Sequence, residues 1–572
     1  MTLAPTADAA SDATQAGESH GKSSASIRQA NPKAATPNGF VGTWVRCFLV
    51  LFALCAAWCL ATPLGGAPDE PAQIVKAAAT VRGELIGQPV RGAHAATRNF
   101  RVPAVFRSVY ELPECYQLHS KIPAGCAPHL RSSSRIVTVS TYVGRYPPLY
   151  YAIVGLPTLV MHSQSVIYFM RLISALIDAL LLSLALAIAT IWCRSTLMVE
   201  ALALAITPLV FFFAGVVNPN GFEMAAAICA WTSGLALVRN WSLHPPPSVL
   251  AAFVVSGSLL ELTRGLSVLW MALIVVTLIC LEPRTCWRLV HQHSVRIGAA
   301  ILVAVGAVAV SFVRVAQTLK VLPSTELPPV HASFVVLTER VLGQIGTYVR
   351  EFVGVFGWLD TPSPSLVTIL WISLLGFLLL LGLAASGRRE SVVLVGLMIG
   401  SFVVSLVLIE WNAGTSGITW QARDGFPLYA GTPLLAGILI PHTSMAGFGD
   451  FARRRVAAIV AIAVGVCQLT DFGWTLRRFT VGLGRTVNLL QPVKHGWSPP
   501  LGTPLTALLG AVAVVAYAWW LFIRTRGHGF GRISSAVPRR EPTREPTPEA
   551  LHEALHEPIP ETNGLVGGAA TG

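Results

Sequence analysis

Charge is scarce in this chain: Asp, Glu, Lys and Arg together make up 12% of its 572 residues. Soluble domains carry about twice that share, so water is excluded as the solvent for most of the surface. The stretches 179–192 and 366–383 hold no charged residue at all, and crossing a bilayer takes roughly 20 helical residues. Other signatures are missing too. No Gly-rich loop of Walker type occurs, which leaves nucleotide hydrolysis without support. No cysteine pair has metal-site spacing. No repeat appears beyond the short echo Leu551-His552-Glu553-Ala554-Leu555-His556-Glu557 near the C-terminus.

What is present is apolar sequence in helix-sized blocks. Hydrophobic residues account for 53% of the chain and the mean hydropathy is +0.61, which makes membrane lipid an obligatory partner. The blocks are 44–61, 167–193, 197–215, 222–238, 249–262, 266–281, 299–315, 366–385, 392–409, 426–440, 456–472 and 505–523. They predict an all-α polytopic membrane protein with about 12 transmembrane helices (about 11–13). A net charge of +13 would suit nucleic acid, but the basic residues form short clusters between apolar blocks and not one polar face. No nucleic-acid partner is expected. Arg194, Arg239, Arg284 with Arg288 and Arg296, Arg388 with Arg389, and Arg453 to Arg455 all flank blocks, as the positive-inside bias asks of cytoplasmic loops. That bias places both termini in the cytoplasm of a multi-pass plasma-membrane protein. The run 147–161 is short and contains Pro157. Reading it as re-entrant or interfacial keeps nearly all later basic clusters on one side, at the expense of Arg477, Arg478 and Arg485, which fall outside.

The ends, 1–40 and 524–572, lack an apolar period and read as disordered cytoplasmic tails around a membrane domain at 41–523. Outside the membrane this reading puts a first loop at 63–146, a turn at 218–221, a second segment at 317–365 and a loop at 410–425. The first loop is too long to be a mere connector. Within it Pro71 to Arg82 reads as a helix along the membrane surface, opened by Pro71 and ended by Gly83. Cys115 and Cys126 lie in the same loop, where an oxidising exterior lets them pair as a disulfide. Seven other cysteines sit in or beside apolar blocks, as small hydrophobes.

Pro68-Asp69-Glu70-Pro71 follows the first span within a few residues. In structural terms the acidic pair starts the Pro71 helix, one carboxylate capping it and complementing its dipole. In chemical terms it supplies a general base for an acceptor hydroxyl, or oxygen ligands for a divalent cation. No motif indicates any other cofactor.

A resemblance adds to this. Ala67-Pro68-Asp69-Glu70-Pro71-Ala72-Gln73, then Arg145-Tyr146-Pro147-Pro148-Leu149-Tyr150-Tyr151, Arg171-Leu172-Ile173-Ser174, and Trp420-Gln421-Ala422-Arg423-Asp424-Gly425-Phe426-Pro427 together resemble a family of bacterial integral membrane proteins, domain of unknown function 2142. That family in turn resembles the GT-C glycosyltransferases, which use a polyprenyl-phosphate sugar donor and carry an acidic motif in the first external loop. The resemblance implies a GT-C-like fold and the catalytic residues Asp69 and Glu70. It also implies a substrate site drawing on Arg145, Tyr146, Tyr150, Gln421 and Arg423, with a polyprenyl-phosphate-linked sugar as partner. Two departures stand out: the family usually has His where Gln73 stands, and Gln-Gly-Arg-Tyr where this chain reads Gln421-Ala422-Arg423-Asp424.

Charges inside the apolar blocks give an independent pointer, because each costs about 2.5 kcal/mol or more near the bilayer centre and needs a partner. Asp178 is the deepest. Arg171 precedes it by seven residues, roughly 10 Å along a helix axis, so another helix must supply its partner. Glu261 and Arg264 are expected to pair with each other. Glu223, after the 218–221 turn, is expected in the same cavity as Asp69. Three function classes follow: a glycosyltransferase of GT-C type acting on the outer face, a transporter or flippase of a lipid-linked saccharide, and a non-catalytic envelope-assembly protein in which Asp69 only caps a helix.

Overall fold

A computed structural model of the chain describes residues 37–90, 97–193, 195, 197–240, 245–318, 334–416, 420–440, 449–484 and 496–527. The tails expected at 1–40 and 524–572 lie outside these residues, except that 37–40 and 524–527 belong to the first and last helices. Arg194, Arg485 and residues 319–333 of the second segment also lie outside them. The chain divides after Thr525 into two units, and of the second only the end of the last helix is described.

Helix α1 (Pro37–Ala61) leads into the first polar loop, which contains α2 (Glu70–Thr80) and an antiparallel sheet of β1 (Gln88–Pro89), β2 (Arg98–Pro103) and β3 (Ile136–Thr141) in that order. After α3 (Leu149–Val154) come α4 (Val166–Ile191), α5 (Met198–Ala205), α6 (Pro208–Ala214), α7 (Pro219–Asn240), α8 (Pro247–Glu261), α9 (Ser267–Leu281), α10 (Pro283–Val290) and α11 (His293–Thr318). The second segment holds α12 (Phe334–Gly343), α13 (Ile345–Gly354) and a hairpin of β4 (Val355–Phe356) and β5 (Thr361–Pro362). The chain continues through α14 (Ser365–Ala385), α15 (Arg388–Ser416), α16 (Ala422–Tyr429), α17 (Gly431–Ile438), α18 (Gly449–Thr480) and α19 (Thr503–Gly527).

Among the described residues eight helices are long and apolar enough to cross a membrane, α1, α4, α7, α11, α14, α15, α18 and α19, or nine if α9 and α10, bent by 111°, count as one. The protein is a multi-pass helical membrane protein. The four remaining expected blocks carry shorter helices, and proline accounts for the break in one of them. In 197–215 the helix breaks at Pro208, which has no N–H to give the Leu204 carbonyl; Trp371 Nε1 bonds that carbonyl instead, at 3.2 Å. In 426–440 the Pro427 carbonyl is taken by Trp231 Nε1 at 2.7 Å, where α16 gives way to α17. The 249–262 and 266–281 blocks are the separate helices α8 and α9. The run 147–161 forms only α3 and a short 3₁₀ turn over Leu156–Leu159, too short to span.

The centre of the bundle is α7, wholly buried and packed on α4, α8, α9, α16 and α17. Small residues permit this closeness: a Cβ on Gly431 would fall 2.4 Å from the Trp231 ring. Trp58 of α1 collects Phe212, Phe356 and Phe472 at 5.4–6.0 Å between centroids, joining α6, β4 and α18 in one core.

Helix α2 forms where expected, and every one of its residues is buried, because β2, β3 and α3 close over it. Arg478 is one of the three arginines, with Arg477 and Arg485, that run against the charge rule. It is fully buried, its Nη2 bonds Asp360 Oδ2 at 2.6 Å and the Tyr116 carbonyl at 2.8 Å, and its Nη1 bonds the Ile122 carbonyl at 2.7 Å. A neutralised, buried arginine carries no topology signal. It also ties the second segment to the part of the first loop bridged by the disulfide Cys115–Cys126. At the far end of α7, Arg239 binds Glu282 at 2.6 Å and Glu390 at 2.5 Å, and Arg389 reaches Glu282 at 3.6 Å. That cluster marks the end of the bundle opposite the loops.

Candidate active site

The first loop leaves α1 at Ala61 and turns back through Gly65, whose φ of 74° suits glycine. What holds this turn is Glu70. Its carboxylate is fully buried and takes four donors: Arg171 Nε on Oε1 at 2.7 Å and Nη2 on Oε2 at 2.6 Å, the Val217 N–H on Oε1 at 3.0 Å, and the Gly65 N–H on Oε2 at 3.0 Å. Arg171 spends its remaining donors on the carbonyls of Cys59, Thr62 and Pro63. The partner that Arg171 requires therefore comes from the loop, while both oxygens of Asp178 have no hydrogen-bond partner among the described residues. Asn218 joins the same knot through Nδ2 to the Pro68 carbonyl at 2.9 Å.

With the backbone clamped on both sides, Asp69 takes a left-handed conformation, φ 66° and ψ −7°. Such a backbone costs an ordinary L-residue about 1–2 kcal/mol, and Asp is among the few that tolerate it. The capping role expected of its side chain is absent: Asp69 stands at the N-cap position of α2 but makes no side-chain cap bond. Its carboxylate points away from the helix. Tyr142 donates its hydroxyl to Oδ1 at 2.6 Å, and Arg423 donates Nη2 to Oδ2 at 2.6 Å. The Asp69 side chain keeps 26% of its exposure, against none for Glu70, so only Asp69 is open to a ligand. Because Glu70 is saturated and faces inward, the pair does not converge on a cation. Burial, and then the Asp69 carboxylate beside it, push the Tyr142 phenol well above its ordinary value.

Arg423 is delivered by the start of α16. Gln421 stands at the N-cap of that helix, where its N–H donates to Asp424 Oδ2 at 3.1 Å and its backbone carbonyl accepts from the Asp424 N–H at 3.0 Å. The Ala422 N–H bonds Glu351 Oε2 at 2.8 Å. Burial raises the Glu351 pKa, opposed by that bond and by the nearby Arg423. The Arg423 guanidinium lies over the Phe213 ring at 5.6 Å. Its Nε and Nη1 are buried and have no partner among the described residues. Unpaired buried guanidinium donors are costly, and each is free to donate a charge-assisted bond to an oxygen of a phosphate or carboxylate.

Beside this pair lies a second charge cluster. Arg264 bonds Asp424 Oδ1 at 2.9 Å, Asn220 Oδ1 at 2.7 Å and Glu223 Oε2 at 3.2 Å, and its guanidinium sits over the Tyr146 ring at 5.7 Å. Ser267 completes Glu223 with a bond to Oε1 at 2.6 Å. The expected pairing of Glu261 with Arg264 does not form, because α8 ends at Glu261 and the chain turns before α9, so helical i,i+3 adjacency is lost. Glu223 does share the loop end with Asp69, joined to it through Arg264, Asp424 and Arg423. Asp424, one of the departures from the family pattern, thus has a structural account as both cap and partner of Arg264. Gln73, the other, is buried and accepts the Tyr151 hydroxyl at 2.6 Å.

Tyr150 belongs to the core: it is fully buried, its hydroxyl is used by Ser174 at 3.0 Å, and its ring packs on Tyr151 and Phe222. It offers no surface to a substrate. Tyr146 is half-buried at the rim. Arg145 lies in the turn between β3 and α3, and burial followed by the nearby Arg98 lowers its pKa. Sequence reasoning missed Tyr142, Glu351 and the bridging role of Arg264. Of these only Arg264 carried a signal, as a charge at the edge of an apolar block.

Comparison with known proteins agrees with the motif order. A family model described as "Predicted membrane protein (DUF2142)" matches residues 52–429. Among solved structures the chain is similar to ArnT from Cupriavidus metallidurans in the apo state, at 14% identity and a TM-score of 0.39, over 86% of this chain and 77% of that one. Curated protein sequences gave no match.

Proposed function

The chain belongs to the DUF2142 family of predicted membrane proteins, and from that premise we propose that it is a glycosyltransferase of GT-C type. In this reading it transfers a sugar from a polyprenyl-phosphate donor to an envelope glycan, lipid or protein on the outer face of the plasma membrane, with both termini in the cytoplasm. One observation carries the proposal: Asp69 is strained, aimed away from its helix, and bound to an arginine with two donors unbonded among the described residues.

The chemistry follows from that arrangement. The donor phosphate docks on Arg423, drawing on its unbonded donors Nε and Nη1 and on a guanidinium that stays charged at any physiological pH. Competition from the phosphate loosens Arg423 from Asp69 and leaves the carboxylate to accept a proton. The acceptor hydroxyl gives its proton to Asp69 as its oxygen bonds the anomeric carbon. The bond from that carbon to the phosphate oxygen breaks, and the electron pair leaves with the lipid phosphate, stabilised by Arg423. Glu70 acts through Arg171 to hold the loop, a positioning role. Gln421 positions α16, and Tyr146 with Arg264 forms one wall of the acceptor side.

The test compares polyprenyl-phosphate-sugar and envelope glycan pools in cells lacking the protein, carrying it, or carrying Asp69→Asn. Donor should accumulate, and a glycan modification should vanish, in both the null and the Asp69→Asn strains. Unchanged pools in the null strain reject the enzyme. A flippase would instead tolerate Asp69→Asn and leave donor stranded on the inner leaflet of the null strain.

A further inference from the structure

At the end of the bundle opposite Asp69, α9 stops at Leu281 and the chain bends by 111° into α10. This short helix has two characters. Cys286, Leu289 and Val290 turn toward the bundle and close one side of a cleft, of about 220 Å³, whose other walls include Leu250 and Phe253 of α8 and Ala299 of α11. Arg284 and Arg288 are exposed on α10, with exposed Arg296 on the first turn of α11. Trp287 is 70% exposed and packs edge-on against His291 at 4.9 Å.

The charge balance here is one-sided. The nearby carboxylates, Glu282 and Glu390, are held by Arg239 and Arg389. Arg284, Arg288 and Arg296 have no carboxylate partner among the described residues. An exposed tryptophan beside unpaired arginines is the pattern of a helix lying in the headgroup region. A basic rim above an apolar cleft between spanning helices suits a ligand with an anionic head and a hydrocarbon tail.

We propose that this cleft is a binding site for one anionic phospholipid, its acyl chain between α8, α9 and α11 and its phosphate on Arg284, Arg288 and Arg296. The occupant is a bilayer lipid, because a free phosphate would leave the apolar cleft unfilled. The site lies at the other end of α7 from Asp69 and is independent of the sugar-transfer reading. It anchors the bend between α9 and α10 at the membrane surface.

Native mass spectrometry of the full chain in detergent tests this, with phosphatidylglycerol and phosphatidylcholine of identical chains as probes. One phosphatidylglycerol should be retained over phosphatidylcholine by about tenfold or more, since each arginine near an anionic headgroup adds appreciably to binding. Arg284→Gln with Arg288→Gln and Arg296→Gln should erase the preference. Ala299→Phe, at an exposed position of the cleft wall, should reduce retention of both lipids while the protein still elutes as a single species. Equal retention of the two lipids by the wild type overturns the proposal. So does undiminished phosphatidylglycerol binding in Ala299→Phe, which would leave only diffuse attraction to a basic surface.

Discussion

Arg171 and Glu70 meet in a two-bond fork, Nε to Oε1 at 2.7 Å and Nη2 to Oε2 at 2.6 Å, with neither side chain exposed. Removing one member leaves the other as an unpaired buried charge, which costs about 3–5 kcal/mol. Arg171→Met should therefore lower the unfolding temperature in detergent sharply and cut the yield of folded protein. Joint replacement by Glu70→Gln and Arg171→Met should recover part of that loss, because no buried charge is left unpaired and the amide oxygen still accepts from one of the Gly65 and Val217 N–H groups. A thermal-shift series on Glu70→Gln, Arg171→Met and the double variant decides it; additive losses would mean that the fork is not a unit.

Asp69 behaves differently because its side chain supports no helix. Asp69→Asn keeps an oxygen for the Tyr142 hydroxyl and tolerates the left-handed backbone but gives up the charge facing Arg423 at a part-exposed site, so the unfolding temperature should fall far less than in Arg171→Met. Transfer should fall by about 10²–10⁴, the usual contribution of a positioned base. Asp69→Ala should lose the same activity and in addition about 1 kcal/mol of stability, from a backbone that alanine disfavours. Parallel measurements of sugar transfer and thermal unfolding separate the two effects. Strong unfolding of Asp69→Asn would return Asp69 to a structural role.

Arg264 is the sole cation bonded to both Glu223 and Asp424 among the described residues. Arg264→Met should thus destabilise the loop end by about 3–5 kcal/mol, whereas Glu261→Gln, which removes no ion pair, should cost far less. Hydrogen exchange at the start of α16 should rise in Arg264→Met, since Asp424 also caps that helix. Equal protection in both variants would show that the cap stands without the arginine.

These pairings mark the limit of what the sequence makes legible. Apolar blocks announce their helices because burial in lipid leaves a composition signal in every window, and 366–385 became α14 within one residue at its start. Breaks are readable only where a breaker is taken seriously: Pro208 was visible in its block. The acidic loop was legible as a place, since Asp69 and Glu70 stand between prolines at the end of a span. Which of the two faces a ligand was not, because Glu70's partners Arg171 and Val217 lie 101 and 147 residues away. Arg423 lies 354 residues from Asp69, and a contact across that separation leaves no local pattern. Tyr142 follows a strand whose only signature is alternation, so nothing set it apart.

The disulfide Cys115–Cys126 closes a loop with a separation of 11 residues, beside the carbonyls that Arg478 binds. Constraining a loop of that size contributes about 2–4 kcal/mol. Cys115→Ser with Cys126→Ser should lower the unfolding temperature and open residues 116–122 to protease, leaving the membrane helices intact. Identical cleavage kinetics in the variant and the parent would show that Arg478 alone holds this segment.

Lys76 gives a prediction in pH. It lies on α2, fully buried, with Nζ on the carbonyls of Leu85 and Gly144, the latter at 2.8 Å, and over the Phe100 ring at 5.0 Å. No carboxylate bonds it among the described residues, and the nearest charges along the Gly144 turn are the arginines Arg98 and Arg145. Burial lowers its pKa from 10.5 to about 7. The unfolded chain, holding its proton up to about pH 10, then binds more protons than the folded one above neutrality. Stability must therefore rise with pH, starting near the folded pKa. Thermal unfolding between about pH 6 and pH 9, below the range where tyrosines ionise, should show the unfolding temperature climbing through neutrality. Lys76→Met removes the titrating group and should flatten that climb, while costing stability at high pH because two buried carbonyls lose their donor. A slope of the same size in Lys76→Met would assign the titration to another group.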